Sequence, residues 1–482
     1  MSSTTSATVS PSGVNGGDSR NVDLNQFYNG GDVAWVLAST ALVFIMIPGV
    51  GFFYSGLARR RSAISMLFLS MMSVAVVAFQ WFFWGYSLTF SHNGGPYIGS
   101  LANFGLRQTL GRPSSVASGL PDLLFCIFQG MFAAITPALA IGAAADRGRM
   151  LPCLVFVFLW SSIVYDPIAF WTWNPKGWLS VLGSYDFAGG SPVHIASGMT
   201  ALAYSIVVGK RHDHGTVKYR PHNVPHVVLG TVLLWFGWFG FNGGSAGSAN
   251  LRAIMACVVT HISASVGGIV WCFLEYIKTR HWSAVGFCCG AVAGLVAITP
   301  GSGFVPPWAA VVIGAVGASA CYGATYLKKL IHVDDALDIF AEHGVGGMVG
   351  NILTALFSAD YIQSLDGSTG NSGGWLSHHY IQLGYQLADT VACAAYSFVV
   401  SCALLFAMNY IPGLSLRVSR DDEVLGLDNV EIGETSYKFS EEPPALSHGI
   451  EVNPRQNGNE TSKENAHQEE KETNREIPSD VV

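Results

Sequence analysis

Two histidines carry the most direct chemistry in this sequence. His194 follows Gly189-Gly190-Ser191-Pro192-Val193, and His343 leads Gly344-Val345-Gly346-Gly347, both within apolar stretches. An ionisable side chain is costly to keep in such surroundings, so it marks a functional site unless a local partner accounts for it. The competing reading for each is a satisfied core histidine bonded to a backbone carbonyl or a serine. Two imidazoles that meet can share one proton, one nitrogen donating and the other accepting, while burial keeps the pair neutral. Such a pair can take a proton from a small weak acid and lose it again. A metal would want a third or fourth ligand, and no residue in a convincing position supplies one. The nine cysteines lie in apolar runs without a CxxC pair and read as packing residues. His261, in Thr260-His261-Ile262-Ser263, reads as a histidine satisfied by its neighbours.

Aromatic residues cluster beside polar groups in Phe128-Gln129-Gly130-Met131-Phe132, Trp171-Thr172-Trp173-Asn174 and Trp235-Phe236-Gly237-Trp238-Phe239-Gly240-Phe241-Asn242. Interfacial belts and lipid-facing surfaces account for most membrane aromatics. The sharper alternative is a ring cage that holds a cation by charge–quadrupole attraction, worth about 2 kcal/mol or more when desolvated. Asp186 stands just before the glycine pair that precedes His194, where a carboxylate caps free amides, with or without a further part in cation recruitment. Asp334, Asp335 and Asp338 are expected to cap the following helix or to pair with Lys328 and Lys329. Asp166 and Asp389 are isolated acids with no role legible in the sequence.

The elements that must position these residues follow from composition. Of 482 residues, 50% are hydrophobic and 12% charged, against roughly 25% charged in an ordinary soluble domain. Such a chain cannot clothe its surface in charge, so much of that surface faces lipid. Stretches of about 20 apolar residues suit spanning helices. Eleven are expected, near 33–58, 62–90, 119–143, 150–172, 188–209, 224–246, 253–275, 283–299, 306–328, 343–358 and 383–411. With the amino terminus outside, thirteen Lys and Arg fall in inner loops and five outside, which places the carboxyl terminus inside. The fold class is therefore an all-α membrane protein of eleven transmembrane helices. An inverted five-plus-five repeat with one helix left over would put His194 and His343 in corresponding last helices.

Residues 1–32 lack the pattern of a signal peptide and read as an extracellular disordered leader, with 33–411 as the membrane domain. Residues 412–482 hold 16 acids and 7 bases and read as a cytoplasmic tail, disordered after about 440. Ser440, Ser447 and Ser462 in that tail are candidates for a kinase. The sequon Asn459-Glu460-Thr461 falls on the cytoplasmic side and is expected to stay unmodified. No basic stripe suggests nucleic acid, and no nucleophile–base–orienter set suggests an enzyme.

Five motifs in order give these observations a common setting. They are Gly49-Val50-Gly51-Phe52-Phe53-Tyr54-Ser55-Gly56, Phe128-Gln129 with Phe132, Asp186-Phe187-Ala188-Gly189-Gly190 with His194, Gly237-Trp238-Phe239-Gly240-Phe241-Asn242, and Asp335 to Asp338 leading into His343-Gly344-Val345-Gly346-Gly347. Through them the chain resembles the ammonium transporter (Amt/Mep/Rh) family, above all its fungal methylammonium permeases, from about residue 30 to 415. The resemblance implies a homotrimer in the plasma membrane, with one pore per subunit and no cofactor. It implies an external cation site of Phe132, Trp173 and Ser245 with Trp238 nearby, and a ring gate of Phe132 and Phe241 with Phe128 lining the vestibule. It also implies a twin-histidine pore of His194 and His343, and Asp186 as a carboxylate supporting recruitment.

Ammonium is a weak acid of suitable size for a histidine pair. Many fungal members carry glutamate at the first pore histidine. Retaining His194 resembles the high-affinity branch to which nutrient sensing for filamentous growth is attributed. The segment from Arg417 to Glu434 resembles a tail that docks on the inner loops, with Arg59, Arg60, Arg61 and the 210–220 loop offering complementary charge. The competing class is an ammonium receptor that signals without net transport. A general cation or water channel is disfavoured, because there is no paired Asn-Pro-Ala, no acid ring and no TVGYG carbonyl filter.

Overall fold

The computed structural model describes residues 23–436. Ten helices are long and apolar enough to cross a membrane: Gly30–Leu57, Arg60–Phe90, Asp122–Ala144, Met150–Leu182, Gly190–Val208, Val224–Gly244, Leu251–Thr279, Ala284–Gly301, Pro307–Lys328 and Ile381–Asn409. Between the last two, Phe340–Phe357 joins Asp360–Asp366 through a 103° bend and makes an eleventh span, tenth in chain order. Among the described residues the only extended pairing is three isolated bridges, so the fold is all-α.

The helices start where the sequence supplies a side-chain acceptor for the free amides of the first turn. Asn29 accepts from Gly31 and Asp32, Asn223 from His226, Asn250 from Ala253 and Ser283 from Gly286. The first span therefore begins at Gly30, ahead of the expected 33. The segment just before it is packed rather than loose, with the Tyr28 hydroxyl donating to the Gly111 carbonyl at 2.5 Å. The fourth span continues past 172 to Leu182.

Several spans are wound locally as π-helix, a loosening that often accompanies function. Two such turns, Gly190–Ile195 and Phe340–Val345, open the fifth and tenth spans and carry His194 and His343. Two others, Trp81–Gly85 and Ser161–Tyr165, interrupt the second and fourth spans. Gln80 precedes one and Asp166 follows the other, and Gln80 Nε2 donates to Asp166 Oδ2 at 2.7 Å. The buried Asp166 thus ties two loosened turns together, away from the histidines.

Beyond the last span, residues 416–436 pack on the loops at one end of the bundle. Three tail acids bind backbone amides there, and Glu431 also pairs with Arg149 at 3.7 Å. Asp428 accepts from the N–H groups of Ile64 (3.1 Å) and Ser65 (2.8 Å) and from the Ser65 hydroxyl (2.6 Å). Glu431 accepts from the Met150 N–H at 3.0 Å, and Glu423 from the His212 N–H at 2.7 Å. Two of these contacts cap the second and fourth spans. Arg61 does reach the tail, donating to the Val424 carbonyl at 2.6 Å, whereas Arg59 pairs with Asp213 at 2.5 Å and Asp146 at 3.5 Å within the loops. Ser440, Ser447, Ser462 and the 459–461 sequon lie outside the described residues.

Candidate functional site

The turn that carries His194 is built by Asp186. Its Oδ1 accepts from the N–H groups of Gly189 (2.7 Å) and Gly190 (2.8 Å), and its Oδ2 from Ser191 (2.7 Å). Gly189 sits at φ 115°, a conformation that a side chain would strain. Asp186 thus caps this turn through three amides. The tenth span packs against the same turn: Asn351 Nδ2 donates to Ser191 Oγ at 2.8 Å. A Cβ added at Gly198 would overlap the Gly344 backbone, and one at Gly347 would press on the His194 Cβ. Glycines at these crossings let the two helices approach closely enough for their histidines to meet.

His194 Nδ1 lies 3.2 Å from His343 Nδ1, and both rings are buried. One nitrogen donates and the other accepts, so a single proton occupies this contact. The remaining ring nitrogen of His194, Nε2, is buried without a hydrogen-bond partner. Around the pair runs a narrow cavity walled by Met46, Val50, Leu139, Leu234, Trp238 and Phe241, with about 10 Å³ open to the centre of a water-sized molecule. That is room for roughly one small molecule.

Toward the side opposite the tail, the aromatic residues form a stack above the histidines. Phe132 and Phe241 lie face to face, with centroids 4.1 Å apart and planes 22° apart. Phe128 meets Phe132 edge-on at 5.1 Å, and Trp173 meets it edge-on at 6.0 Å. The Trp173 indole donates to the Asp186 carbonyl at 3.1 Å, so the capped turn also fixes that ring. Ser245 is partly exposed, and its hydroxyl donates to the Phe241 carbonyl at 2.8 Å. Trp238 lies beside Phe241, with ring centroids 5.5 Å apart. It stacks on His194 at 5.4 Å, below the phenylalanine pair, with its indole donating to Thr299 Oγ1 at 2.9 Å. His261 is exposed on the flank of the seventh span, against Trp235 and Phe239.

The acids before the tenth span divide their work. Asp338 pairs with Lys328 at 2.6 Å, and Asp335 caps the span by accepting from the Phe340 N–H at 2.7 Å. Asp334 departs from the expected lysine pairing. Arg211 reaches it through Nη2 at 2.8 Å and Nε at 3.0 Å, because the 209–214 loop folds beneath it. Burial alone would raise the Asp334 carboxyl, but the Arg211 hydrogen bonds and charge outweigh it and hold the group well below the usual carboxylate range. Asp389 accepts from the Ser184 hydroxyl at 2.6 Å and steadies the loop before Asp186. Among the described residues, no three His, Cys, Asp or Glu side chains are grouped to hold a metal ion.

Two residues that the sequence reading does not single out, Tyr54 and Glu342, also line the histidine cavity. Tyr54 is visible within the Gly49–Gly56 motif. Glu342, beside His343 in an apolar run, is open to the same cost argument that marks the histidines.

Eleven spans, two of them opening on π-turns that bring buried histidines together beneath stacked rings, define a multi-pass membrane protein with a small-molecule conduit. Residues 34–437 match the model of the Ammonium Transporter Family, and the chain belongs to that family. It is 80% identical over 456 residues to ammonium transporter 1 of Schizosaccharomyces pombe, covering 94% of this chain and 92% of that protein. It is 51% identical over 434 residues to the ammonium transporter MEP2 of Saccharomyces cerevisiae, covering 88% and 87%. The crystal structure of Candida albicans Mep2 superposes with a TM-score of 0.81 at 50% identity, covering 85% of this chain and 91% of that one.

Proposed function

We propose that the protein carries ammonium and methylammonium with high affinity across the plasma membrane, through a pore in each subunit of a homotrimer. In this reading the amino terminus is outside and the tail is cytoplasmic. The cation sheds water against Phe132, Trp173 and Ser245, gives up a proton at the histidine pair, and passes the apolar constriction as NH3. The observation that carries the reading is the 3.2 Å contact between two buried imidazoles in a narrow passage walled mostly by apolar side chains. A potassium ion has no proton to surrender there, and no ring of carbonyls replaces its water.

The test is uptake of labelled methylammonium, with ammonium-driven current, in cells lacking their own permeases. The double variant His194→Ala with His343→Ala should abolish both at unchanged surface protein. Full uptake by that variant would remove the histidines from the mechanism.

Retention of His194, the feature that resembles the high-affinity branch, supports ammonium sensing by the same molecule. A kinase acting on Ser440, Ser447 or Ser462 would tune it. Deleting 440–482 should leave uptake intact and alter its response to nitrogen supply, and an unchanged response would discard the tail as regulator.

A further inference from the structure

Glu342 precedes His343 in the π-turn that opens the tenth span, and it is 2% exposed. It lines the narrow cavity that holds both histidines. It also lines a wide vestibule of about 620 Å³ that opens on the tail side among Arg211, Lys218, Lys278, Lys328 and Asp338. No other described residue is shared by the two walls. One carboxyl oxygen, Oε2, is buried without a hydrogen-bond partner. Leaving a buried polar atom unpaired costs on the order of 1–3 kcal/mol, so a residue kept only for packing would not retain it without return.

Among the described residues, no ion pair to the Glu342 carboxylate is present. Lys328, whose charge acts on Glu342, is paired with Asp338 at 2.6 Å. The other titratable groups facing Glu342 are Asp335, Asp338 and His343 on its own segment, Cys288 and Cys289 from the eighth span, Cys321 from the ninth, and Tyr54 from the first. None of these is a cation free to hold the carboxylate permanently ionised. A carboxyl group in that position can gain and lose a proton without breaking an ion pair.

We infer that Glu342 is the proton acceptor at the tail-side end of the histidine pair, linking the narrow pore to the vestibule. The inference rests on the reading that ammonium is deprotonated at the histidines. In the step, an N–H bond of the His343 imidazolium breaks and leaves its electron pair on nitrogen, and an O–H bond forms on the Glu342 carboxylate. The acid then releases the proton to vestibule water. No electrons change hands and the charge carried equals one proton.

The full-length protein in lipid vesicles tests this by ammonium-jump currents at a series of pH values on the vestibule side. Wild type, Glu342→Gln, Glu342→Asp and the double histidine variant are compared at equal protein. The Gln variant keeps the shape but should lose the dependence on vestibule-side pH, and its current should drop about tenfold or more. The Asp variant should regain the dependence with a displaced midpoint. A Gln variant with wild-type current and pH profile overturns the role, even while the double histidine variant stays silent and the transport reading stands. Wild type without ammonium-driven current, or a double histidine variant with full current, shows instead that the underlying reading has failed. If the Gln variant does not insert, an Asp variant with an unmoved midpoint is equally decisive against Glu342.

Discussion

Gly198 crosses Gly344 so closely that a single added methyl group on the first would enter the backbone of the second. This crossing sets the histidine pair. Each histidine sits in a π-helical turn whose extra residue per turn re-aims the side chain inward. The crossing then brings the fifth and tenth spans near enough for the 3.2 Å contact between the rings.

Gly198→Ala is therefore expected to force the fifth and tenth spans apart. Overpacking of this kind costs about 1–3 kcal/mol, and a displacement near 1 Å at a reacting group can cost on the order of 100-fold in rate. Methylammonium uptake per molecule at the cell surface should fall steeply while the protein still assembles. Uptake equal to wild type would show that the crossing does not govern the pair.

Asp186 offers a way to separate capping from cation recruitment. Asp186→Ala strips acceptors from three amides at once and should lower stability by about 2 kcal/mol, read as an earlier thermal transition of the detergent-purified protein. Asp186→Asn keeps one acceptor oxygen and should lose less. If Asn restores both the transition and uptake, the side chain serves as a cap. If it restores only the transition, the negative charge itself contributes to transport.

Much of this architecture is legible in the amino-acid sequence. Apolar runs of spanning length, the loop bias in Lys and Arg, and two lone histidines in Gly-rich breaks point to the fold and to the pair. What stays hidden has a common physical cause. Asp334 and Arg211 are 123 residues apart in sequence, whereas local spacing points to the nearer lysines. Charge complementarity points to the docking of the tail, but its acids also take backbone amides, which have no sequence signature. Trp238 shares a motif with Phe241, yet nothing in that motif announces that its ring also stacks on His194. Each of these outcomes depends on tertiary geometry that composition does not encode.

The Arg211–Asp334 contact gives stability a pH dependence of definite sign. The folded carboxyl sits below its unfolded value, so its stabilising effect is complete at pH above the ordinary carboxylate value of about 4. It is lost only as pH falls toward the lowered folded value. Arg211→Met leaves Asp334 buried near Arg147, whose guanidinium donates to the Asp334 carbonyl rather than to its carboxylate. Breaking such a buried pair costs about 3–5 kcal/mol. The variant should unfold earlier at neutral pH and regain part of the deficit on mild acidification, where protonation of Asp334 removes a charge left with only His214 Nδ1 beside it at 3.2 Å. Thermal transitions measured across pH would show a gap from wild type that narrows toward acid, and a gap constant with pH would refute the pairing as its source.

The Asp428 carboxylate holds the tail to the start of the second span through three hydrogen bonds. Asp428→Ala removes a cap worth about 1–2 kcal/mol, and the loss falls on the tail contact rather than on the membrane core. The expected result is a tail that a protease cuts readily between the last span and residue 436, in a protein whose thermal transition moves little. Asp428→Asn should be intermediate, since its amide oxygen can still accept from the Ser65 N–H. Wild-type resistance to proteolysis in the Ala variant would mean that Glu423, Glu431 and the Arg61–Val424 contact hold the tail without Asp428.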